Sequence, residues 1–190
     1  MEPRKRKIKF KTGKKKISVK YVLGITLLTF IIAILMQTVS NVLMENIAVY
    51  YAFILLVAVI MIGILFDVIG VAVTSADDAA FYSMAADRLK GAKESINLIK
   101  NAEKVSNIAN DVVGDVCGII SGSIGAAIIA AMSQGKSVTD TLWLSLLVTG
   151  LVSALTVGGK AAGKFVAISY NSYIVYFAGR IISLFKFKRK

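Results

Sequence analysis

Residues 47–73 read "IAVYYAFILLVAVIMIGILFDVIGVAV", and this stretch decides the fold. Its only charged side chain is that of Asp67. A helix needs about 20 apolar residues to cross the hydrocarbon core of a bilayer, and this run is longer than that. The stretch therefore predicts a transmembrane helix. A carboxylate inside such a helix is costly, so Asp67 is predicted to be paired or functional.

Three other stretches are apolar enough to cross a bilayer, namely residues 21–44, 113–132 and 141–157. Four crossings place residues 1–20, 75–112 and everything after Val157 on one side, with 10, 5 and 7 of the Lys and Arg residues. The opposite side carries only Lys136. Basic residues favour the cytoplasmic side. This predicts a multi-pass protein of the cell membrane with both termini in the cytoplasm.

The predicted fold is an all-α integral membrane protein, with about four transmembrane helices plus cytoplasmic juxtamembrane amphipathic helices. A chain that is 56% hydrophobic yet carries a net charge of +12 suits this class, with its basic faces at anionic lipid headgroups. The basic arm, residues 1–20, is assigned to those headgroups. Nucleic acid is not expected as a partner, because the arm adjoins a membrane span and its one aromatic residue is Phe10.

Several chemistries are excluded by composition. The chain has no histidine and a single cysteine, Cys117. A disulfide within the chain, a Cys/His metal site and histidine acid–base catalysis are therefore excluded. No catalytic arrangement of nucleophile and base is evident, and we predict that the protein is not an enzyme.

Two amphipathic segments flank the last two spans. In residues 75–112 we expect two helices, the first capped by Asp77 or Ser75 and ended by Gly91. The second has an apolar stripe made of Leu98, Ile99, Val105 and Ile108. Residues 164–187 mix aromatic, apolar and basic side chains, which favours an interfacial helix, with a fifth span as the alternative.

The segment "TVGGKAAGK", residues 156–164, has the glycine and lysine spacing of a phosphate-binding loop. An apolar helix precedes it, however, and Phe165 stands where such a loop has a hydroxyl. Nucleotide binding is therefore not predicted. Gly158 and Gly159 are expected to break or kink the fourth helix at its cytoplasmic end.

The third span combines small residues with acidic ones at its start. The small residues predict tight helix packing or a polar site in the membrane, and they are Gly118, Ser121, Gly122, Ser123, Gly125, Ala126 and Ala127. Asp111 and Asp115 enter this span at i and i+4. They either contribute oxygen ligands to a hard divalent cation or pair with a basic residue, the candidates being Lys160, Lys164 and Arg88.

Three segments resemble the transmembrane domain of the CNNM/CorB-CorC magnesium and cobalt transporters. Residues 74–89, "TSADDAAFYSMAADRL", resemble the family's serine- and acid-containing motif after its first span. Residues 101–115, "NAEKVSNIANDVVGD", resemble the segment that enters the next span, and "GKAAGK", residues 159–164, resembles the family's last motif. The resemblance divides the chain into a basic arm (1–20), an extra helix (21–44), a transporter-like domain (45–179) and a basic tail (180–190).

The resemblance implies a Mg²⁺ or Co²⁺ site shaped by Ser75, Asp78, Gly114, Asp115 and Gly159, in a protein that works as a homodimer. The sequence departs from the family in three ways. Lys160 stands where the family has its cation-binding glutamate, Gly163 replaces a proline, and the CBS domains are absent. We therefore expect an ion pair between Lys160 and Asp115. Two functions follow as hypotheses: a protein that moves or senses divalent cations, or a non-transporting scaffold or adaptor with a degenerate ion site.

Overall fold

The computed structural model describes residues 19–44 and 48–187, and within those ranges every regular element is a helix. The predicted all-α class is thus confirmed for that part of the chain, while most of the basic arm lies outside it. The elements in chain order are α1 (Val19–Met44), α2 (Val49–Ser75), α3 (Ala79–Ala86), α4 (Ala92–Lys100), α5 (Ala102–Ser106), a π-helical segment (Asn107–Gly114), α6 (Asp115–Met132), α7 (Val138–Ser169) and α8 (Asn171–Phe187).

Four helical stretches are long and apolar enough to cross a membrane, as the sequence predicts. They are Val19–Val39, Val49–Ser75, Ala102–Met132 and Val138–Ser169. The third stretch joins α5, the π-helical segment and α6 into one continuous helix. Its beginning therefore lies eleven residues before the predicted start at residue 113, since the amphipathic segment runs into the span without a break.

Helix α2 lies at the centre of the bundle and packs against α6, α7 and the π-helical segment. Its contact with α6 forms the first apolar core, in which Ala52, Leu56 and Ile60 of α2 recur every four residues and so share one face. They pack against Val116, Ile120, Ile124 and Ile128 of α6. Helix α1 packs against α6, and its membrane-span window has no buried residue.

Helix α7 runs without interruption from Val138 to Ser169, so of the predicted break or kink at Gly158 and Gly159 the break is wrong. A glycine in a helix interior costs about 1 kcal/mol relative to alanine, too little to end a helix that packs on a neighbour. Gly159 and Gly163 face α2, where an added Cβ would collide with the side chains of Ile64 and Val68. Small residues at this crossing let the two backbones approach closely.

The segment predicted as one interfacial helix, residues 164–187, is divided between two helices. Its first residues complete α7, Tyr170 leaves the helical conformation, and α8 follows over 17 residues. The corner is held by Asn171, whose Nδ2 donates to the carbonyl of Ser75 (3.2 Å) and to that of Ile168 (3.0 Å). Helix α8 then packs against α4, and Val175 is fully buried in the second apolar core.

The segment between α2 and α6 agrees with the sequence in part. Asp77 Oδ1 accepts from the backbone N of Ala79 (3.2 Å), so Asp77 rather than Ser75 supports the start of α3. Gly91 does not end that helix. Helix α3 ends at Ala86, and Gly91 lies directly before α4 with φ +93°. Helix α8 crosses Gly91 too closely for a side chain to fit between them.

The predicted second helix is divided at Asn101 into α4 and α5, and three of its four predicted stripe residues pack against the second core from these two helices. Leu98, Ile99 and Val105 pack against the second core, around Phe81 of α3 and Ala167 of α7. Ile108 does not follow them, because it lies in the π-helical segment and is exposed.

Candidate ion site

The π-helical segment sets the geometry of the candidate site. In such a segment each N–H pairs with the carbonyl five residues back, and π-helical turns frequently occur at functional sites. A Cβ added to Gly114 would lie 3.5 Å from the Ala109 carbonyl oxygen and 4.0 Å from that of Gly63. Helix α2 therefore approaches the end of the segment at Gly63, where both helices lack a side chain.

The ammonium of Lys160 lies over this gap. Its Nζ is 3.6 Å from Asp115 Oδ1, and 3.5 Å from the position that a Cβ on Gly114 would take. The predicted ion pair between Lys160 and Asp115 is thus confirmed. Lys160 is 23% exposed and Asp115 is 68% exposed, so the pair lies at the edge of the bundle rather than in its core. Within the described residues, Lys164 and Arg88 form no ion pair.

Asp111 does not share this contact. Over the described part of the chain it has no ion-pair partner, and it is exposed. The sequence places Asp111 and Asp115 at i and i+4, which is one face of an α-helix. Asp111 lies one turn before Asp115, and only the carboxylate of Asp115 reaches Lys160.

The structure brings together only part of the predicted metal-binding set. Gly114 and Asp115 lie beside Lys160, and Gly159 precedes that lysine on α7. Ser75 and Asp78 lie elsewhere. Ser75 is twelve residues beyond Gly63 on α2, which corresponds to about 18 Å along the helix. Ser75 adjoins the corner between α7 and α8, and Asp78 precedes α3.

Of the predicted set, one carboxylate, that of Asp115, lies beside Lys160. No group of three His, Cys, Asp or Glu side chains within residues 19–44 and 48–187 could hold a metal ion. The ammonium adds a repulsion of about 8 kcal/mol for a divalent ion 4 Å away, at an effective dielectric constant of about 20. The ion pair itself occupies the carboxylate that such an ion would need.

A second polar group lies deeper in the bundle. Asp67, which the sequence singles out, is 4% exposed on α2, and its Oδ2 has no hydrogen-bond partner within the described residues. Asn110 of the π-helical segment also buries its Oδ1 without a partner there. Sequence reasoning missed Asn110. One sequence signal could have pointed to this contact. Gly63, Asp67 and Gly70 lie on one face of α2, and the two glycines allow another helix to approach that face closely.

A cleft of about 400 Å³ separates α6 from α7. Small residues line it on α6, including Gly118, Gly122 and Ala126. Hydroxyl groups line it on α7, including Ser145, Thr149 and Ser153. A face of this kind suits the docking of another helix within a membrane.

Comparisons with known proteins give no relative. No family model, no curated protein and no solved structure matches the chain. The resemblance to the CNNM/CorB-CorC transporters therefore stays a prediction.

The energy of the Lys160–Asp115 pair is measurable by a double-mutant cycle. We expect the variants Lys160→Met and Asp115→Asn to show a coupling of about 0.5–1 kcal/mol, because one partner is largely exposed. The measurement is the free energy of unfolding in detergent micelles. The control cycle replaces Lys160→Met by Lys164→Met, one helical turn further along α7, and should show no coupling. Equal coupling in both cycles would contradict the assignment.

Proposed function

We propose that the protein is a membrane-embedded scaffold in which a lysine ammonium takes the place of a bound divalent cation. The observation that carries this proposal is the contact of Lys160 Nζ with Asp115 Oδ1 beside Gly114. A tethered ammonium neutralises the acidic group permanently, so the fold needs no metal ion at this point. It also cannot leave, so the site does not exchange its cation with either side of the membrane.

In this proposal the protein lies in the cell membrane with both termini on the cytoplasmic side. The basic arm (1–20) and the basic tail (180–190) then lie at anionic lipid headgroups, where each Lys or Arg contributes about 1 kcal/mol of attraction. Four apolar helices and the uneven distribution of Lys and Arg support this arrangement.

The partner face of the scaffold is the cleft between α6 and α7, and the partner that we propose is a second copy of the chain. We expect Gly122→Leu to abolish or strongly weaken the dimer, because the added side chain would fill the cleft. A Cβ at Gly122 meets no atom within 4 Å in the monomer, so the monomer should fold normally. Chemical crosslinking in native membranes and mass measurement in lipid nanodiscs would report the oligomeric state.

Gly150→Leu is the matched control for this experiment. Gly150 also lies in a membrane-spanning helix with no atom within 4 Å of an added Cβ, but it is not among the residues that line the cleft. If Gly150→Leu weakened the dimer as much as Gly122→Leu does, the cleft would not be the interface.

A flux assay tests the scaffold against divalent transport. The protein is reconstituted into liposomes that contain a Mg²⁺-sensitive dye, and a Mg²⁺ or Co²⁺ gradient is applied. We expect wild-type protein to give no more influx than empty liposomes, and the melting temperature to be the same in Mg²⁺ and in K⁺ of equal ionic strength. Protein-dependent Mg²⁺ influx would refute the scaffold proposal and restore the transporter hypothesis.

A second candidate function, the handling of a cation within the membrane, is favoured by Asp67. An acidic side chain that is 4% exposed on an apolar helix is the kind of group found in ion and proton pathways. This candidate does not depend on the Lys160 site and is compatible with a protein that moves no Mg²⁺.

A further inference from the structure

Two buried oxygen atoms lack a hydrogen donor where α2 meets the π-helical segment. They are Asp67 Oδ2 and Asn110 Oδ1, and no donor for either lies within residues 19–44 and 48–187. The Nδ2 of Asn110 donates to Ser106 Oγ (3.2 Å), so the amide presents its oxygen on its other side. Buried acceptors of this kind are nearly always paired, and an exception calls for an explanation.

The backbone places these two side chains in one layer. Gly63, Asp67 and Gly70 share a buried face of α2 at i, i+4 and i+7. Gly63 lies against Gly114 and Cys117, and a Cβ added to Gly70 would collide with Asn110 Oδ1. Asp67 lies between the two glycines, and positions 67 and 70 are about 5–6 Å apart at Cβ. The carboxyl group of Asp67 is therefore within reach of the Asn110 amide oxygen.

Two acceptors within reach of each other repel, whereas one proton shared between them satisfies both. We propose that Asp67 and Asn110 form a proton-binding site inside the membrane, in which the carboxylic acid of Asp67 donates to Asn110 Oδ1. Binding adds one proton to the carboxylate and leaves the pair neutral. Release returns the proton and leaves a carboxylate.

The neighbouring titratable groups do not supply another donor. On α6 and α7, Asp115 and Lys160 are paired with each other near Gly63. Cys117 is buried on α6, beside Gly63. Asp111 of the π-helical segment and Lys164 of α7 are exposed. The proposal concerns a different site from that of Lys160, and it holds whether or not the scaffold proposal does.

Infrared spectroscopy of the full chain in lipid vesicles tests the proposal directly, because protonated and ionised carboxyl groups absorb at different frequencies. At neutral pH we expect the wild-type protein to show one carboxylic-acid carbonyl band per chain that shifts when aspartate is labelled with ¹³C. The variant Asp67→Asn should lose this band. The variant Asn110→Leu should keep it at a changed frequency, because the hydrogen bond is lost.

Asp111→Asn is the matched control, since it removes an exposed acid one residue from Asn110 and should leave the band unchanged. If the wild-type protein showed no such band, Asp67 would be ionised, with the amide of Asn110 turned to donate to it, and the proposal would be wrong. A band that survives Asp67→Asn would overturn it equally. Where Asp67→Asn does not fold, Asp67→Glu decides, because the label-sensitive aspartate band must then disappear.

Discussion

The variant Gly91→Ala should separate α8 from α4 and cost about 2–5 kcal/mol of unfolding free energy. Gly91 has φ +93°, a left-handed conformation that costs other residues about 1–2 kcal/mol. An added Cβ would also lie 2.8 Å from both Cα and N of Arg180. Those are backbone atoms, so relief requires α8 to move, and overpacking of this kind costs about 1–3 kcal/mol.

The same crossing is tight from the other side. A Cβ on Gly179 of α8 would lie 2.8 Å from the Gly91 carbonyl oxygen and from the Ser95 nitrogen. The fully buried hydroxyl of Ser95 donates to the Gly91 carbonyl at the start of its own helix (3.0 Å) and, across the contact, to the Val175 carbonyl of α8 (3.2 Å). Displacing α8 therefore exposes or breaks a buried hydrogen bond as well as the glycine contact.

The matched control for Gly91→Ala is Gly135→Ala. Gly135 also has a positive φ, +75°, but no atom lies within 4 Å of an added Cβ. This control should lose only the part of the unfolding free energy that comes from the left-handed backbone conformation, about 1–2 kcal/mol. Denaturant titration in detergent micelles gives the unfolding free energies, and trypsin cleavage at Arg88 and Lys90 reports the release of α8. Equal losses of unfolding free energy in the two variants would mean that the contact between α4 and α8 at Gly91 does not contribute to stability.

The variant Gly163→Leu should disrupt the central contact between α2 and α7. Gly163 is buried, and a Cβ there would lie 2.8 Å from Val68 Cγ2 and 3.2 Å from Ile64 Cγ2. Both neighbours are β-branched, so their side chains have little rotamer freedom with which to move away. We expect a loss of about 3 kcal/mol or more, because leucine adds three further carbon atoms to a position that does not accommodate one.

Gly158→Leu on the same helix is the control for this prediction. A Cβ at Gly158 meets no atom within 4 Å, so leucine there should leave the unfolding free energy unchanged or raise it, since leucine favours helix over glycine by about 1 kcal/mol. The measurement is again denaturant titration, with melting temperature as a second readout. If Gly158→Leu lowered the unfolding free energy more than Gly163→Leu does, then Gly163 would not be the residue of α7 that packs against α2.

The larger features of the fold follow from the sequence because they depend on the order of apolar and charged residues along the chain. Long apolar runs predicted the helices that are able to span a membrane, and the one acidic residue in residues 47–73 identified Asp67. The Lys160–Asp115 pair, which the family resemblance implied because it sets Lys160 at the position of a cation-binding glutamate, is present in the structure.

The sequence failed where the outcome depended on the fit between helices. Gly158 and Gly159 looked like a helix end, yet α7 continues, because close contact with α2 at Gly159 offsets the low helix propensity of glycine. Ser75 and Asp78 looked like partners of Gly114 and Asp115, yet the length of α2 keeps the two pairs apart.

What the sequence alone determined is which segments are helical and apolar, and which charges they carry. Only the tertiary structure decided which faces meet, because a register of one helix against another is set by side-chain shape. The π-helical segment shows this most clearly. It brings Asn110 against Gly70, on the glycine and aspartate face of α2. No one-dimensional pattern contains that contact, since it depends on two helices fitting together.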